Sequence, residues 1–195
     1  MTKSFEFYFD FGSPYSFLAH KEIRKIERKL SIKIKYVPIL LGAILKQVGT
    51  KPHADIPAKN KYMIRDCKMW AEKYKIEFKF NSYFPIITLN LMRSVIVAER
   101  HDFAQNFINK VYDAIWKDGL NLNDNIIFEK LLKNLDINPK TFLMETVEQK
   151  IKDDLKKRTE EAYSKGIFGV PTFIVNNKIF WGQDRLEFVI KEISK

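Results

Sequence analysis

The chain has 195 residues, 46% of them apolar, enough for one large domain or two small ones around a real core. Its net charge of +10 raises nucleic-acid binding as a reading, but the lysines are spread along the whole length with no dense basic run. That argues for a solvated lysine-rich surface whose positive potential favours small anionic ligands, and against a nucleic-acid partner. One cysteine, Cys67, excludes an intramolecular disulfide and a cysteine-rich metal site.

The three histidines, His20, His53 and His101, have no ligand spacing, so no metal is expected. There is no apolar run of about 18 residues, and the opening MTKSFEFYFDF lacks the apolar stretch of a signal peptide. The expected setting is the reducing cytoplasm, away from membranes.

Phe5, Phe7 and Phe9 alternate with Glu6 and Asp10, with Tyr8 interrupting the pattern, and predict a strand over 4–10. Gly12-Ser13-Pro14 ends it. Pro suits the first turn of a helix and Ser the cap before it, so a helix is expected over 14–30, its stripe formed by Phe17, Leu18, Ile23, Ile26 and Leu30. Ile32, Ile34 and Tyr36 alternate with lysines and predict a second strand over 32–38. Residues 47–58, with Gly49, Pro52 and Pro57, read as a loop. A helix over 59–75 follows, with Tyr62, Asp66 and Trp70 on one face. Residues 76–87 are irregular. Helical patterns fill 88–165, with breaks near Asp102, 119–125 and Asn138-Pro139. Gly166 suits a helix end. Strands are expected at 171–175 and 178–181 around an Asn176-Asn177 turn. Asp184 and Glu187 have the spacing of a capping box that opens a last helix over 184–194.

This order, β-α-β, a helical block, then β-β-α, predicts an α/β thioredoxin-like fold with an inserted all-helical subdomain. The expected division is 1–58 with 156–195 for the split thioredoxin-like part, and 59–155 for the insert. In such a fold the first strand delivers the chain to a helix N-terminus, where N–H groups and the helix dipole favour an anion. Redox members place Cys-x-x-Cys there. Here the four residues are Ser13-Pro14-Tyr15-Ser16, so the protein's own dithiol chemistry is excluded. Ser13 is either only a helix cap or a hydroxyl that hydrogen-bonds a thiolate carried by a ligand.

FYFDFGSPYSFLA, PAKNKYMIRDCKMWA and GIFGVPTFIVNNKIFWGQDRL together resemble the 2-hydroxychromene-2-carboxylate isomerase and kappa-class glutathione transferase family of the DsbA-like thioredoxin superfamily. The resemblance implies an enzyme with glutathione as co-substrate, a small anionic aromatic substrate and a homodimeric assembly. It places the glutathione sulfur at Ser13, beside Pro14 and Tyr15. The cysteinyl backbone then lies against Val170, before a cis Pro171, and the γ-glutamyl end at Trp181, Gly182, Gln183 and Asp184. Lys59 matches a further contact. Each of these has a plainer reading: Pro171 a rigid turn, Asp184 a helix cap, Trp181, Tyr62 and Trp70 core residues, Arg65 and Asp66 a solvated or paired face. Cys67 reads as a small core residue. Lys46 and Arg93 are candidates for a substrate carboxylate. Thr50 and Ile87 depart from the family, which often carries Asn at both places; loss of the loop Asn also fits the alternative of a non-catalytic thioredoxin-fold binding protein.

Overall fold

The computed structural model describes residues 3–195; residues 1 and 2 of the expected 1–58 segment lie outside the described residues. Strand β1 (Ser4–Phe9) places Phe5, Phe7 and Phe9 on one face, where Phe7 stacks on Phe9 and Phe173. Tyr8 does not interrupt this alternation. It is buried on the opposite face with Val37, Ile39, Ile44, Ala162, Ile167 and Val170. Both faces of the strand are therefore covered, which explains why the sequence alternation is blurred.

Helix α1 (Pro14–Leu30) follows, and then β2 (Lys33–Pro38), parallel to β1 with Ser4 opposite Lys33 and Phe9 opposite Pro38. The apolar stripe of α1 fades at its end, where Leu30 is exposed. Strands β3 (Thr172–Val175) and β4 (Lys178–Trp181) complete a sheet of order β2-β1-β3-β4, both added antiparallel. Asn176 and Asn177 take left-handed φ values of 48° and 61°, as the hairpin between them requires.

Helix α2 (Leu41–Val48) corrects the loop expected from residue 47, and α3 (Pro57–Tyr74) starts two residues earlier than expected. The sequence hides α2 because Leu40, its N-cap, makes no side-chain capping bond. Its first N–H groups are taken from a distance: Leu40 N by Thr159 Oγ1 at 3.1 Å and Leu41 N by Asp10 Oδ2 at 2.9 Å.

The helical block comprises α4 (Leu89–Arg100), α5 (Ala104–Trp116), α6 (Asn125–Lys133), α7 (Pro139–Thr146) and α8 (Gln149–Ser164). The break between α7 and α8 at Val147-Glu148 carries neither Gly nor Pro and has no local signal. Helix α8 runs unbroken through 155/156 and packs on α2 and β2 as well as on α4 and α7. Trp116, Tyr112, Phe107 and Phe11 join the aromatic core beneath β1. No described helix is long and apolar enough to cross a membrane.

Helix α9 (Leu186–Ile193) closes the chain, preceded by a 3-10 turn over Gln183–Arg185. The expected capping box is not formed: Arg185 occupies the N-cap and makes no side-chain capping bond. Gly182, at φ 106°, turns the chain so that the Asp184 carboxylate folds back over it, away from the first turn of α9.

Candidate active site

The N-terminus of α1 stands at the C-terminal end of β1, beneath the segment that enters β3. Ser13 is 5% exposed and caps α1. Its Oγ accepts from Ser16 N at 3.1 Å and donates to the Val170 carbonyl at 3.4 Å. The Val170–Pro171 bond is cis, as expected, and a second cis bond, Phe84–Pro85, was not foreseen. The Ser13 hydroxyl proton therefore sits in a long hydrogen bond that a stronger acceptor can replace.

The chain after β4 is tied to the same place. Gly182 N donates to the Pro171 carbonyl at 2.9 Å, and Tyr74 Oη of α3 donates to the Gln183 carbonyl at 2.9 Å. Gln183 is buried, and Asp184 pairs with Arg185 at 2.9 Å. Trp181 is 46% exposed, which removes core packing as the plainer reading of this residue. Its indole lies across Gly169, where a Cβ would come within 2.8 Å of Nε1, and Phe168 meets it edge-on at 5.0 Å. Gly169 is thus the residue that lets the ring approach the backbone.

Tyr15 is half-buried, and its hydroxyl donates to Asp66 Oδ2 at 2.8 Å; Tyr62 donates to the other oxygen at 3.4 Å. Asp66 is therefore a paired face. Tyr62 is 63% exposed and is not core, whereas Trp70 packs partly against the core under the Lys73 ammonium, 4.4 Å from the ring. Burial, then the charge at Asp66, pushes the Cys67 thiol well above its ordinary range, so this fully buried sulfur is inert. No cluster of three metal-ligating side chains occurs among the described residues.

Hydrogen bonds join Ser13 to Val170 and Gly182 to Pro171, and Pro14 and Gln183 are their chain neighbours. Thr50 is exposed just past Gly49, and its N–H closes the end of α2 on the Leu45 carbonyl at 3.0 Å. Lys46 is exposed near the end of α2, Lys59 is exposed in the first turn of α3, and Arg93 is half-buried on α4 with Nε unpartnered. Burial, followed by the nearby Lys59 charge, holds His53 below its usual range. The side chains of these four candidates make no hydrogen bond to the Ser13 set among the described residues.

Two residues escaped the sequence reading. Asp10 is wholly buried beneath the turn and accepts from Gly12 N at 2.8 Å as well as from Leu41 N. Burial pushes its carboxyl up; the Gly12 and Leu41 N–H groups and the Thr88 hydroxyl pull it the other way. Thr88, just before α4, reaches the turn through the irregular 76–87 segment. The only available signal was an Asp three residues before Ser13.

A separate cavity of about 410 Å³ lies between β1, β2 and α8. Its charges are mutually paired: Lys35 and Lys165 on Glu6 at 2.8 and 3.0 Å, and Arg158 on Glu99 at 2.8 Å. Burial alone would raise Glu6, but the hydrogen bonds from Lys35, Tyr8 and Lys165 outweigh it and hold the carboxyl down at about 2. This is a saturated ion-pair network.

Known proteins resemble this chain over nearly its whole length. Over 191 residues the chain is 29% identical to a 2-hydroxychromene-2-carboxylate isomerase of Sphingobium xenophagum, covering 97% of each. It is 25% identical to glutathione S-transferase kappa 1 of Caenorhabditis elegans, covering 94% of this chain and 88% of that one. A solved 2-hydroxychromene-2-carboxylate isomerase superposes with a TM-score of 0.90 at 23% identity, over 98% of this chain and 94% of that one. Residues 5–194 match the DSBA-like thioredoxin domain, and the chain belongs to that family.

Proposed function

We propose that this protein is a glutathione-dependent isomerase of the 2-hydroxychromene-2-carboxylate type, holding glutathione with its sulfur at Ser13. The chain is an enzyme of the isomerase and transferase kind that its relatives represent. The observation that carries the reading is the buried Ser13 hydroxyl at the start of α1, aimed at the carbonyl that precedes a cis proline. Redox relatives keep a thiol at that point of the fold; here the sulfur must come from the ligand.

The residues present fit such a ligand. The positive end of α1 favours a thiolate, and the Ser13 proton can leave the 3.4 Å bond to Val170 for it. The Val170 backbone suits the cysteinyl part, and the turn at Gly182, Gln183 and Asp184 suits the γ-glutamyl end. Pro14, Tyr15 and Trp181 would wall the site; Thr50 and Lys59 would contact its rim. Lys46 and Arg93 stand as candidates for the substrate carboxylate. Glutathione supplies a nucleophilic sulfur that adds to a conjugated, aromatic-derived acid and leaves again after a bond has rotated. Ser13 has no hydrogen-bonded base, so it acts as a donor to the thiolate and not as the nucleophile. If the sulfur stays attached, the same site is a transferase of the kappa kind.

Calorimetric titration with glutathione, followed by assays with hydroxychromene carboxylate and with a chlorodinitrobenzene, tests the proposal. Binding with turnover of the first substrate is expected. Turnover of the second alone would assign a transferase, and no binding at millimolar glutathione would overturn the reading. A homodimer in the cytoplasm is part of the same proposal, and its assembly is tested by light scattering.

A further inference from the structure

Asp10 occupies an unusual position for a carboxyl. It is fully buried and faces no cation in a salt bridge among the described residues. Its two oxygens serve two different chain segments. Oδ1 takes Gly12 N, in the turn that carries Ser13, and Oδ2 takes Leu41 N, the first residue of α2. Thr88, at the end of the linker that leads into α4, is buried against the same turn. The packing is close on that side: a Cβ on Gly12 would meet Asp10 Oδ1 and Thr88 Cγ2 at 3.4 Å and the Ile86 carbonyl at 3.7 Å. The Asp10 carbonyl in addition accepts Ser13 N at 3.1 Å. One residue thus holds Ser13 from the backbone and, through Gly12, from the side chain.

We propose that Asp10 is the positioning residue of the site, fixing where Ser13 Oγ stands by tying its turn to α2. Asp10 touches neither ligand nor reacting atoms and acts only through the turn. The thiolate readout below rests on the proposed placement of glutathione; the exchange readout does not. A carboxylate is needed because two N–H groups must be accepted on two separate oxygens. Asparagine supplies only one acceptor and turns an NH2 toward the other donor. Errors of about 1 Å in placing a reacting group can cost about a hundredfold in rate, so a small slip of this turn is expected to matter.

Wild type and Asp10→Asn test this. Amide hydrogen exchange on the full chain without ligand reads the ties directly. Protected Gly12 and Leu41 amides in wild type, and faster exchange at one or both in Asp10→Asn, are expected. Ultraviolet absorbance of bound glutathione against pH reads the consequence. Asp10→Asn should raise the thiol midpoint by about half a unit to one unit, opposite to the fall that loss of a nearby negative charge alone would give. A loss of folded protein alone would scale the signal without moving the midpoint. Unchanged exchange at both amides in Asp10→Asn overturns the proposal, and so do unprotected Gly12 and Leu41 amides in wild type, which can be read even if the variant is too unstable to study. Altered exchange with an unmoved or lowered midpoint overturns the link to Ser13. Absence of any thiolate signal in wild type overturns the glutathione reading and leaves the exchange result to decide on Asp10.

Discussion

Two helices start side by side at the C-terminal end of the parallel pair, and they are built on opposite principles. Helix α1 carries its own cap, since Ser13 accepts from Ser16 N three residues on. Helix α2 carries none, and Asp10 and Thr159 reach it from distant parts of the chain. The difference is functional as well as structural. A self-capped start leaves its hydroxyl proton free to point outward, toward Val170 and any ligand there. A start capped from elsewhere has its donors spent inside the fold and offers nothing to a ligand.

The largest expected effect separates the helices by pH. Only α1 buries a histidine: His20 bonds Tyr36 Oη at 3.0 Å and Asn109 Oδ1 at 2.7 Å, and burial pushes its pKa down to about 3. In the unfolded chain it titrates near about 6.5. The unfolded state thus binds the extra proton, and the stability present above about pH 6.5 falls as pH drops toward 3, by up to ~1.4 kcal/mol per unit. Denaturant titrations of wild type and His20→Gln between pH 7 and 4 should differ by that slope; parallel curves would show that His20 is not held neutral.

Next in size, Ser13→Ala should lower turnover by about a hundredfold, the cost of one preorganised donor. It should raise the bound thiol pKa by about one to two units and leave much of the glutathione affinity intact. Identical thiolate titrations in wild type and variant would refute the donor role, as would a substrate adduct on Ser13 seen by mass spectrometry. The matching change at the other helix is Thr159→Val, which strands the buried Leu40 N–H. It should cost about 1–3 kcal/mol of stability without moving the thiolate midpoint. A shift in that midpoint would mean that a disturbance at Leu40 N reaches Ser13 through the Asp10 tie. The smallest effect is at the far end of α2, where Thr50→Asn should tighten glutathione about two- to tenfold through one added hydrogen bond of ~0.5–1.5 kcal/mol. Unchanged calorimetric affinity would remove this loop from the site.

The same contrast explains what was legible in the sequence. Ser13-Pro14, the Phe alternation of β1 and the Asn176-Asn177 turn are local signals, and the elements they announce fall within a residue or so of their expected ends. Helix α2 was missed because its caps lie 31 and 119 residues away. The role of Asp184 was misread because the capping-box spacing is present but the positive φ at Gly182 turns the residue aside. Tyr62 is exposed where core was expected, because an aromatic at helical spacing does not reveal which side its neighbours leave open. Asp10 was passed over for the converse reason. Nothing in a sequence distinguishes a strand-end carboxylate facing water from one enclosed on every side.

The placement of the tryptophans gives the molecule an optical asymmetry. Trp116 is fully enclosed and donates to the Phe11 carbonyl at 2.8 Å, so its emission is that of an apolar, rigid indole. Trp181 is half in water, at the turn that precedes Gly182. Trp70 is only partly buried, so in a Trp70→Phe variant red-edge emission and acrylamide quenching report mainly on the rim of the Ser13 site, while the blue component reports on the aromatic core beneath it. A ligand settling against the Gly182 turn would change the first and spare the second, and loss of the core would do the reverse.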